Sequence, residues 1–288
     1  MSSFDYVRPT SLAEAVELLN DQTYQNMPLA GGTDLMVYLH HEGPTYSRLV
    51  DISTLPDLKK ISKKGQTITI GSGVTFTRVI ENKTLQQDVS FLIQACRAIG
   101  SPQIRNGGTI GGNVANAAAC ADSLPVLVCL DASVHLLGPK GATREMPVSE
   151  FVLSPNETNI NSGELITHFS FLAPPDGTRS AFIKLGRRNA QAISRLTMAV
   201  MVRIDSTGKI DFARVTPGAA TPQTSRFTAA EEVLIGQKPG KVVYEKAAKQ
   251  VSETMIEVTG RRWSTEYKEP AIQALTVRAL QKALDDTP

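Results

Sequence analysis

Between Gly107 and Asn113 the chain reads Gly-Gly-Thr-Ile-Gly-Gly-Asn, and it runs on through Asn116-Ala117-Ala118-Ala119-Cys120-Ala121-Asp122. Side chains this small cannot fill a core packed at ordinary protein density, and a solvated loop would be more polar. The segment fits a backbone wrapped closely around a flat or extended ligand. A purely structural Gly-Ala-rich loop is the alternative. A second, shorter turn, Ala30-Gly31-Gly32-Thr33-Asp34-Leu35, follows the strand-like Met27-Pro28-Leu29-Ala30 and opens a helix. Glycine there allows unusual dihedrals and a close backbone approach. Exposed N–H groups and the positive end of the following helix suit a phosphate, with the Thr33 hydroxyl as a further donor. A tight β-α turn capped by Thr33 or Asp34 would use the same residues for structural reasons alone. Two such turns can grip a diphosphate from both sides.

The familiar diphosphate units are missing. Gly71-Ser72-Gly73 is followed by Phe76 where a dinucleotide fingerprint needs its third glycine, and Gly236 to Lys241 has the wrong spacing for an ATP loop, with Val242 in place of Ser or Thr. A formal net charge of +2 argues against a nucleic-acid partner. Lys59, Lys60, Lys63 and Lys64 surround the turn signal Lys64-Gly65 and read first as a solvated hairpin tip, second as an anion patch. The tightest apolar run, Val126 to Leu130, is far short of a membrane span, and Met1 to Asp5 is not a secretory leader. Three cysteines, Cys96, Cys120 and Cys129, fit reduced thiols and a cytoplasmic protein. Without a CxxC, the chain cannot hold an iron–sulfur cluster on four cysteines of its own. His40, His41, His135 and His168 make no metal-like or triad-like constellation.

Periodicity predicts the elements. Ser11 to Glu14 reads as a capping box, with Leu12, Ala15, Val16 and Leu19 at helical spacing to about Asn20. Strand Met27–Ala30, helix Leu35–Leu39 and strand Arg48–Asp51 then form a small β-α-β unit. Further on come a strand at Thr67–Ile70, a helix face at Phe91–Ile99, a hairpin from Val134 to Val148 across Gly138-Pro139-Lys140-Gly141, and a strand at Leu165–Leu172. Pro174-Pro175-Asp176-Gly177 is the clearest linker. Three strands follow, Phe182–Leu185, Thr197–Ile204 and Ile210–Val215, then a helical pattern from Ala229, with Pro270 suited to the first turn of a final helix.

Ala30 to Leu35, Ser101-Pro102-Gln103-Ile104-Arg105-Asn106 and Thr109-Ile110-Gly111-Gly112-Asn113 together resemble the FAD subunit of the molybdenum hydroxylases, a family that includes xanthine, carbon monoxide and nicotinate dehydrogenases. The resemblance runs from Phe4 to the C-terminal helices. It implies an α+β fold: a vanillyl-alcohol-oxidase-type FAD-binding domain in two α/β subdomains, 1–57 and 58–175, then a C-terminal domain, 176–288, of a small antiparallel sheet and a helical bundle. Pro28 and Leu29 match cofactor-contacting positions, and Ala30, Gly31, Gly32, Thr33, Asp34 and Leu35 would wrap the FAD diphosphate with backbone N–H groups. Ile99, Gly100, Gly108, Thr109, Gly112, Asn113, Ala115, Asn116 and Ala121 match further cofactor-contacting positions. Asp122 matches a cofactor-contacting carboxylate, and accepting from sugar hydroxyls suits it; it could equally cap the helix that follows. Ile166 matches a residue packed near the isoalloxazine ring, although core packing would also place an apolar residue there. Lys184 matches a lysine beside that ring. In an apolar strand it needs a partner, and near a flavin its charge would favour the reduced ring and raise the potential.

The resemblance implies an electron-transfer subunit with no catalytic side chain of its own. Its partners would be a molybdopterin-binding large subunit and an iron–sulfur small subunit, assembled as a dimer of heterotrimers, with NAD+, oxygen or a quinone as acceptor and a purine such as xanthine, another nitrogen heteroaromatic compound or an aldehyde as substrate. Lacking the inserted cysteine set of the benzoyl-thioester subgroup, the chain stands apart from it; Leu39-His40-His41-Glu42 is similar to bacterial xanthine dehydrogenase flavin subunits. The rival readings are a self-contained flavin oxidase and a nucleotide-binding scaffold without redox chemistry.

Overall fold

The computed structural model describes residues 4–41 and 46–284, so Glu42 lies outside the described residues. The first unit comprises β1 (Asp5–Val7), α1 (Leu12–Asn20), β2 (Asn26–Leu29), α2 (Leu35–His41) and β3 (Arg48–Asp51), with the strands parallel in the order β1-β3-β2. Parallel neighbours need crossovers, and α1 packs Ala15, Val16 and Leu19 against Val50, Ile52, Leu55 and Leu58. Ser11 caps α1 by accepting the Glu14 N–H, but the Glu14 carboxylate reaches past Ser11 to the Thr10 N–H and hydroxyl, both at 2.7 Å. The expected capping box therefore closes one residue further out.

In the second unit, β4 (Ile61–Lys64) and β5 (Thr67–Gly71) form a hairpin, followed by α3 (Phe76–Glu81), α4 (Lys83–Asp88), α5 (Ser90–Ala98), α6 (Pro102–Gly107), α7 (Ile110–Asn116) and α8 (Ser123–Cys129). After these come β6 (Ser133–Leu137), β7 (Thr143–Pro147), α9 (Val148–Phe151), the short pair β8 (Val152–Ser154) and β9 (Glu157–Thr158), and β10 (Leu165–Leu172). The antiparallel sheet has the order β4-β5-β10-β6-β7. Its inner face, with α5 and α8, forms the largest core. Lys60 pairs with Asp57 and Lys63 with Asp88, so those two members of the lysine cluster are surface ion pairs.

The stretch from Gly100 to Ala121 is not an open wrapping loop. It folds into α6 and α7, each started by a hydroxyl cap: Ser101 accepts the Ile104 N–H and Thr109 accepts the Gly112 N–H. Glycine's low helix propensity is overridden by these caps and by contact with β5–α3. The Gly111 N–H donates to the Ser72 carbonyl at 2.8 Å, where a Cβ on Gly111 would fall 2.5 Å from the Ser72 side chain.

Past the Pro174–Gly177 linker, β11 (Arg179–Gly186), β12 (Ser194–Ile204) and β13 (Ile210–Gly218) form an antiparallel sheet in that order, covered by α10 (Thr228–Leu234), α11 (Lys241–Thr259) and α12 (Thr265–Leu284). Leu196, Met198, Val200 and Val202 of β12 pack under the helices, while Ala199 and Met201 join the core of the second unit. A strand buried on both faces reads as one continuous apolar run. Pro270 does not stand in the first turn of α12. The turn Arg262–Thr265 closes a step earlier, with the Thr265 hydroxyl accepting the Arg262 N–H at 2.8 Å and Lys268 N–H bonding Ser264 at 2.9 Å. Proline is then tolerated one turn in, where it removes a single helical donor.

Candidate functional site

The two glycine-rich turns meet. A Cβ on Gly31 would lie 2.0 Å from the Gly107 carbonyl oxygen, so only glycine lets these backbones touch. Gly32 has φ +68°, a left-handed conformation that glycine adopts freely. Beside this contact opens a cleft of about 690 Å³. One wall is the β2–α2 turn, from Pro28 and Ala30 through Gly31, Gly32, Thr33, Asp34 and Leu35. The opposite wall is Ile99, Gly108, Thr109, Gly112, Asn113, Ala115 and Asn116. A second cleft of about 360 Å³ shares Pro28, Ala30, Gly31, Thr109, Gly112 and Ala115 and extends to Ile52, Lys59, Thr75, Asn106, Glu164 and Ile166. The two clefts adjoin at these six shared residues, and together they make up a trough lined by both units.

The donors facing this trough are unspent. Among the described residues, the N–H groups of Gly31, Gly32, Thr33, Asp34 and Leu35 donate to no carbonyl or side chain; the local bonds run from Met36 to Gly32 and from Tyr38 to Asp34 instead. The first N–H groups of a helix have no partner within it, so five in a row at the start of α2 and beside a cleft are available to an anion. Asn113 accepts the Ser123 hydroxyl at 2.6 Å through Oδ1, which leaves its amide NH2 for a ligand. Among the described residues no group pairs with the Asp34 carboxylate, and burial pushes that carboxyl up. Glu164 is fixed by Arg144 at 2.7 Å; burial works against its charge, but the guanidinium and the Asn161 N–H outweigh that and hold its carboxyl below the usual range. No histidine or cysteine lines either cleft among the described residues. The trough can therefore bind a long molecule with an anionic middle.

Residues 2–171 match the family model described as the FAD binding domain in molybdopterin dehydrogenase, and residues 181–283 match the CO dehydrogenase flavoprotein C-terminal domain. This chain belongs to the FAD-binding subunits of the molybdenum hydroxylases. It is 32% identical to the xanthine dehydrogenase FAD-binding subunit of Escherichia coli O157:H7, over 97% of this chain and 95% of that one. It is 30% identical to the nicotinate dehydrogenase FAD-subunit of Eubacterium barkeri, over 99% and 97%. The crystal structure of the cyanide-inactivated Cu,Mo-CO dehydrogenase superposes with a TM-score of 0.90 at 29% identity, covering 98% of each chain. An FAD-binding domain followed by a C-terminal domain of small antiparallel sheet and helices is the architecture the resemblance implied.

The residues of this FAD-binding subunit fit the cofactor. Five free N–H groups suit a diphosphate, and the two joined clefts give room on either side of it. Fifteen of the twenty expected contact residues line the trough: fourteen in the larger cleft and Ile166 in the smaller. Five do not. Leu29 lies in β2 under Gly32, and Gly100, at φ +46°, packs against Ile104. Ala121 and Asp122 are 7% and 4% exposed. The Asp122 carboxylate makes no cap bond to α8; it accepts from Lys184 Nζ at 2.7 Å and from the Ser194 hydroxyl. Lys184 also donates to the Ala98 carbonyl at 2.9 Å, which supplies the partner its apolar strand demanded. Burial raises the Asp122 carboxyl, and the ammonium and hydroxyl pull it part of the way back.

Sequence reasoning missed Tyr38, Tyr46, Phe76, Ile104 and Asn156 in the larger cleft, and Lys59, Asn106 and Glu164 in the smaller. Tyr38 stands one helical turn beyond Leu35, so α2 periodicity carried that signal. Lys59 leaves the hairpin cluster to line the trough. His135 and His168 are stacked 4.0 Å apart across β6 and β10, away from both clefts, and no group of three metal-ligand side chains occurs among the described residues.

Proposed function

We propose that this chain is the electron outlet of a molybdenum hydroxylase. It receives electrons from two-iron–two-sulfur clusters of a small subunit and passes them to NAD+, while a molybdopterin-binding large subunit hydroxylates a purine such as xanthine. Bound FAD supplies the redox chemistry, since a flavin handles one- and two-electron steps alike. The side chains of this subunit bind and orient. The N–H groups of Gly31 to Leu35 hold the diphosphate, Asn113 and Asn116 offer amide donors from the facing wall, and the buried Lys184–Asp122 pair sets the local charge beyond Ala98. The run of five unspent N–H groups carries the reading. The xanthine dehydrogenase relative supports a purine substrate; the nicotinate dehydrogenase relative favours the second reading, a hydroxylase for another nitrogen heteroaromatic compound or an aldehyde.

The visible absorption spectrum of the purified chain, with the flavin released and identified, tests the cofactor assignment; a colourless chain that also rejects added FAD overturns it. Turnover of xanthine by the assembled complex with NAD+ in place of oxygen or a quinone tests substrate and acceptor. Co-elution with large and small subunits at the mass of a dimer of heterotrimers tests assembly.

A further inference from the structure

Helix α2 lacks a core. None of its seven residues, Leu35–His41, is buried, whereas α1 in the same unit buries Ala15, Val16 and Leu19. Among the described residues, no hydrogen bond or ion pair ties an α2 side chain to another element, and the ring contact of His40 with His41 stays inside the helix. Helix α6 buries no residue either, but it is anchored: Arg105 donates to the Ile99 and Gly100 carbonyls at 2.9 and 3.1 Å, and Asn106 accepts the Thr77 hydroxyl at 2.6 Å. What α2 does have is an apolar face turned towards the trough. Leu35, Tyr38 and Leu39 stand at i, i+3 and i+4, which places them side by side on the helix, and all three line the larger cleft. Met36 and Val37, each 53% exposed, line neither cleft.

A surface helix normally lays its apolar face on protein. Most of its stability comes from that packing, and below about 12 residues propensity alone leaves a helix marginal in water. Here the same face lies on the binding site instead. We propose that bound FAD is the packing partner of α2: the cofactor covers Leu35, Tyr38 and Leu39, and the helix folds on it and unwinds when it leaves. Tyr38, at 44% exposed, offers the cofactor a large, rigid apolar surface. The helical bonds from Met36 to Gly32 and from Tyr38 to Asp34, at 3.0 and 3.1 Å, belong to exposed residues, and bonds of that kind open at the least free-energy cost. Unwinding removes part of the wall of the larger cleft, so a long cofactor enters an open trough and α2 closes behind it. Part of the binding free energy then goes into ordering the helix. Tyr38 and Leu39 thereby become positioning residues for the cofactor, one turn beyond the glycine-rich motif that ends at Leu35.

This inference rests on the cofactor reading above. Hydrogen exchange is followed by mass spectrometry in the full chain, FAD-loaded and flavin-stripped, with residues 35–41 compared against α1, which has its own core. In the stripped chain the amides of 35–41 should exchange as fast as those of an unstructured peptide. At free FAD of about a hundred times Kd they should slow roughly a hundredfold, with α1 unchanged. Tyr38→Ser with Leu39→Ser should weaken FAD binding roughly tenfold or more and leave the thermal midpoint of the stripped chain where it was. Tyr38→Phe, and Met36→Ser with Val37→Ser on the outer face, should bind FAD as the wild type does. Equal exchange of 35–41 with and without FAD, fast in both or slow in both, overturns the inference and leaves the cofactor reading intact; so does an equal loss of FAD affinity in the inner-face and outer-face variants. Protection that comes only with the partner subunits overturns it in favour of a subunit contact. A chain that neither carries nor takes up FAD takes both down.

Discussion

Gly31 and Gly107 are 76 positions apart in sequence, yet a single added carbon on Gly31 would lie 2.0 Å from the Gly107 carbonyl oxygen. The trough depends on that contact, because it brings the free N–H groups of the first unit against the helix starts of the second. Both glycine turns are thus needed for each other and, on the proposed reading, a second time for the cofactor.

The two roles separate by mutation. Gly31→Ala forces the turns apart, and overpacking of this kind costs about 1–3 kcal/mol; it should lower the thermal midpoint and strip FAD together. At Gly112 an added Cβ meets only the Thr109 hydroxyl, at 3.0 Å. Gly112→Val should therefore keep the fold and weaken FAD binding by roughly tenfold or more, equivalent to ~1.4 kcal/mol. Flavin absorbance per chain against circular dichroism resolves the two; full flavin occupancy in Gly112→Val would mean that the turn is only structural.

Lys184→Met leaves Asp122 buried without its cation. Removing one member of a buried pair costs about 3–5 kcal/mol, so a marked loss in denaturant midpoint is expected. If the pair stands beside the flavin ring, as the resemblance implies, Lys184→Met should also lower the flavin potential and Asp122→Asn raise it. Spectroelectrochemical titration gives the potentials, and identical values in all three proteins would remove the ring-side role.

Acid should expose the Arg144–Glu164 bridge. The folded Glu164 carboxyl titrates below its unfolded value, so its stabilising contribution is complete above the unfolded pKa of about 4.3 and fades as pH falls through the folded one. Arg144→Gln should be about 1–3 kcal/mol less stable near neutrality, the range for stranding a buried acceptor, with the gap closing below that pH. Urea midpoints of the two proteins from neutral pH down to acid check this; a constant gap would contradict it.

Thiol chemistry should be selective. Cys96 and Cys129 are fully buried, and burial pushes the Cys129 thiol up to about 12 and that of Cys96 higher still. Cys120 is half-buried, with its thiol raised by burial and by Asp122. Mass spectrometry after maleimide treatment at neutral pH should find slow labelling at Cys120 alone in the native chain and at all three cysteines after unfolding.

Much of this was legible from residue order. Ser11 marked the start of α1, the apolar alternation of Leu165–Leu172 matched β10, and Gly31-Gly32 and Gly111-Gly112 signalled close backbone approach, which the fold uses between Gly31 and Gly107 and between Gly111 and Ser72, because caps, strand period and glycine freedom act over a few residues. What the chain order could not convey lies between distant segments. Nothing local shows that Gly31 meets Gly107, that Lys59 turns from the hairpin into the trough, or that Asp122 pairs with Lys184 and Ser194, 62 and 72 positions away. Helix α7 forms through glycines for the same reason: the Thr109 cap and the Ser72 contact outweigh a propensity of about 1 kcal/mol per residue. Local sequence sets which backbone shapes are cheap. Packing across the fold decides which are used, since burial and pairing free energies between distant groups exceed those local preferences.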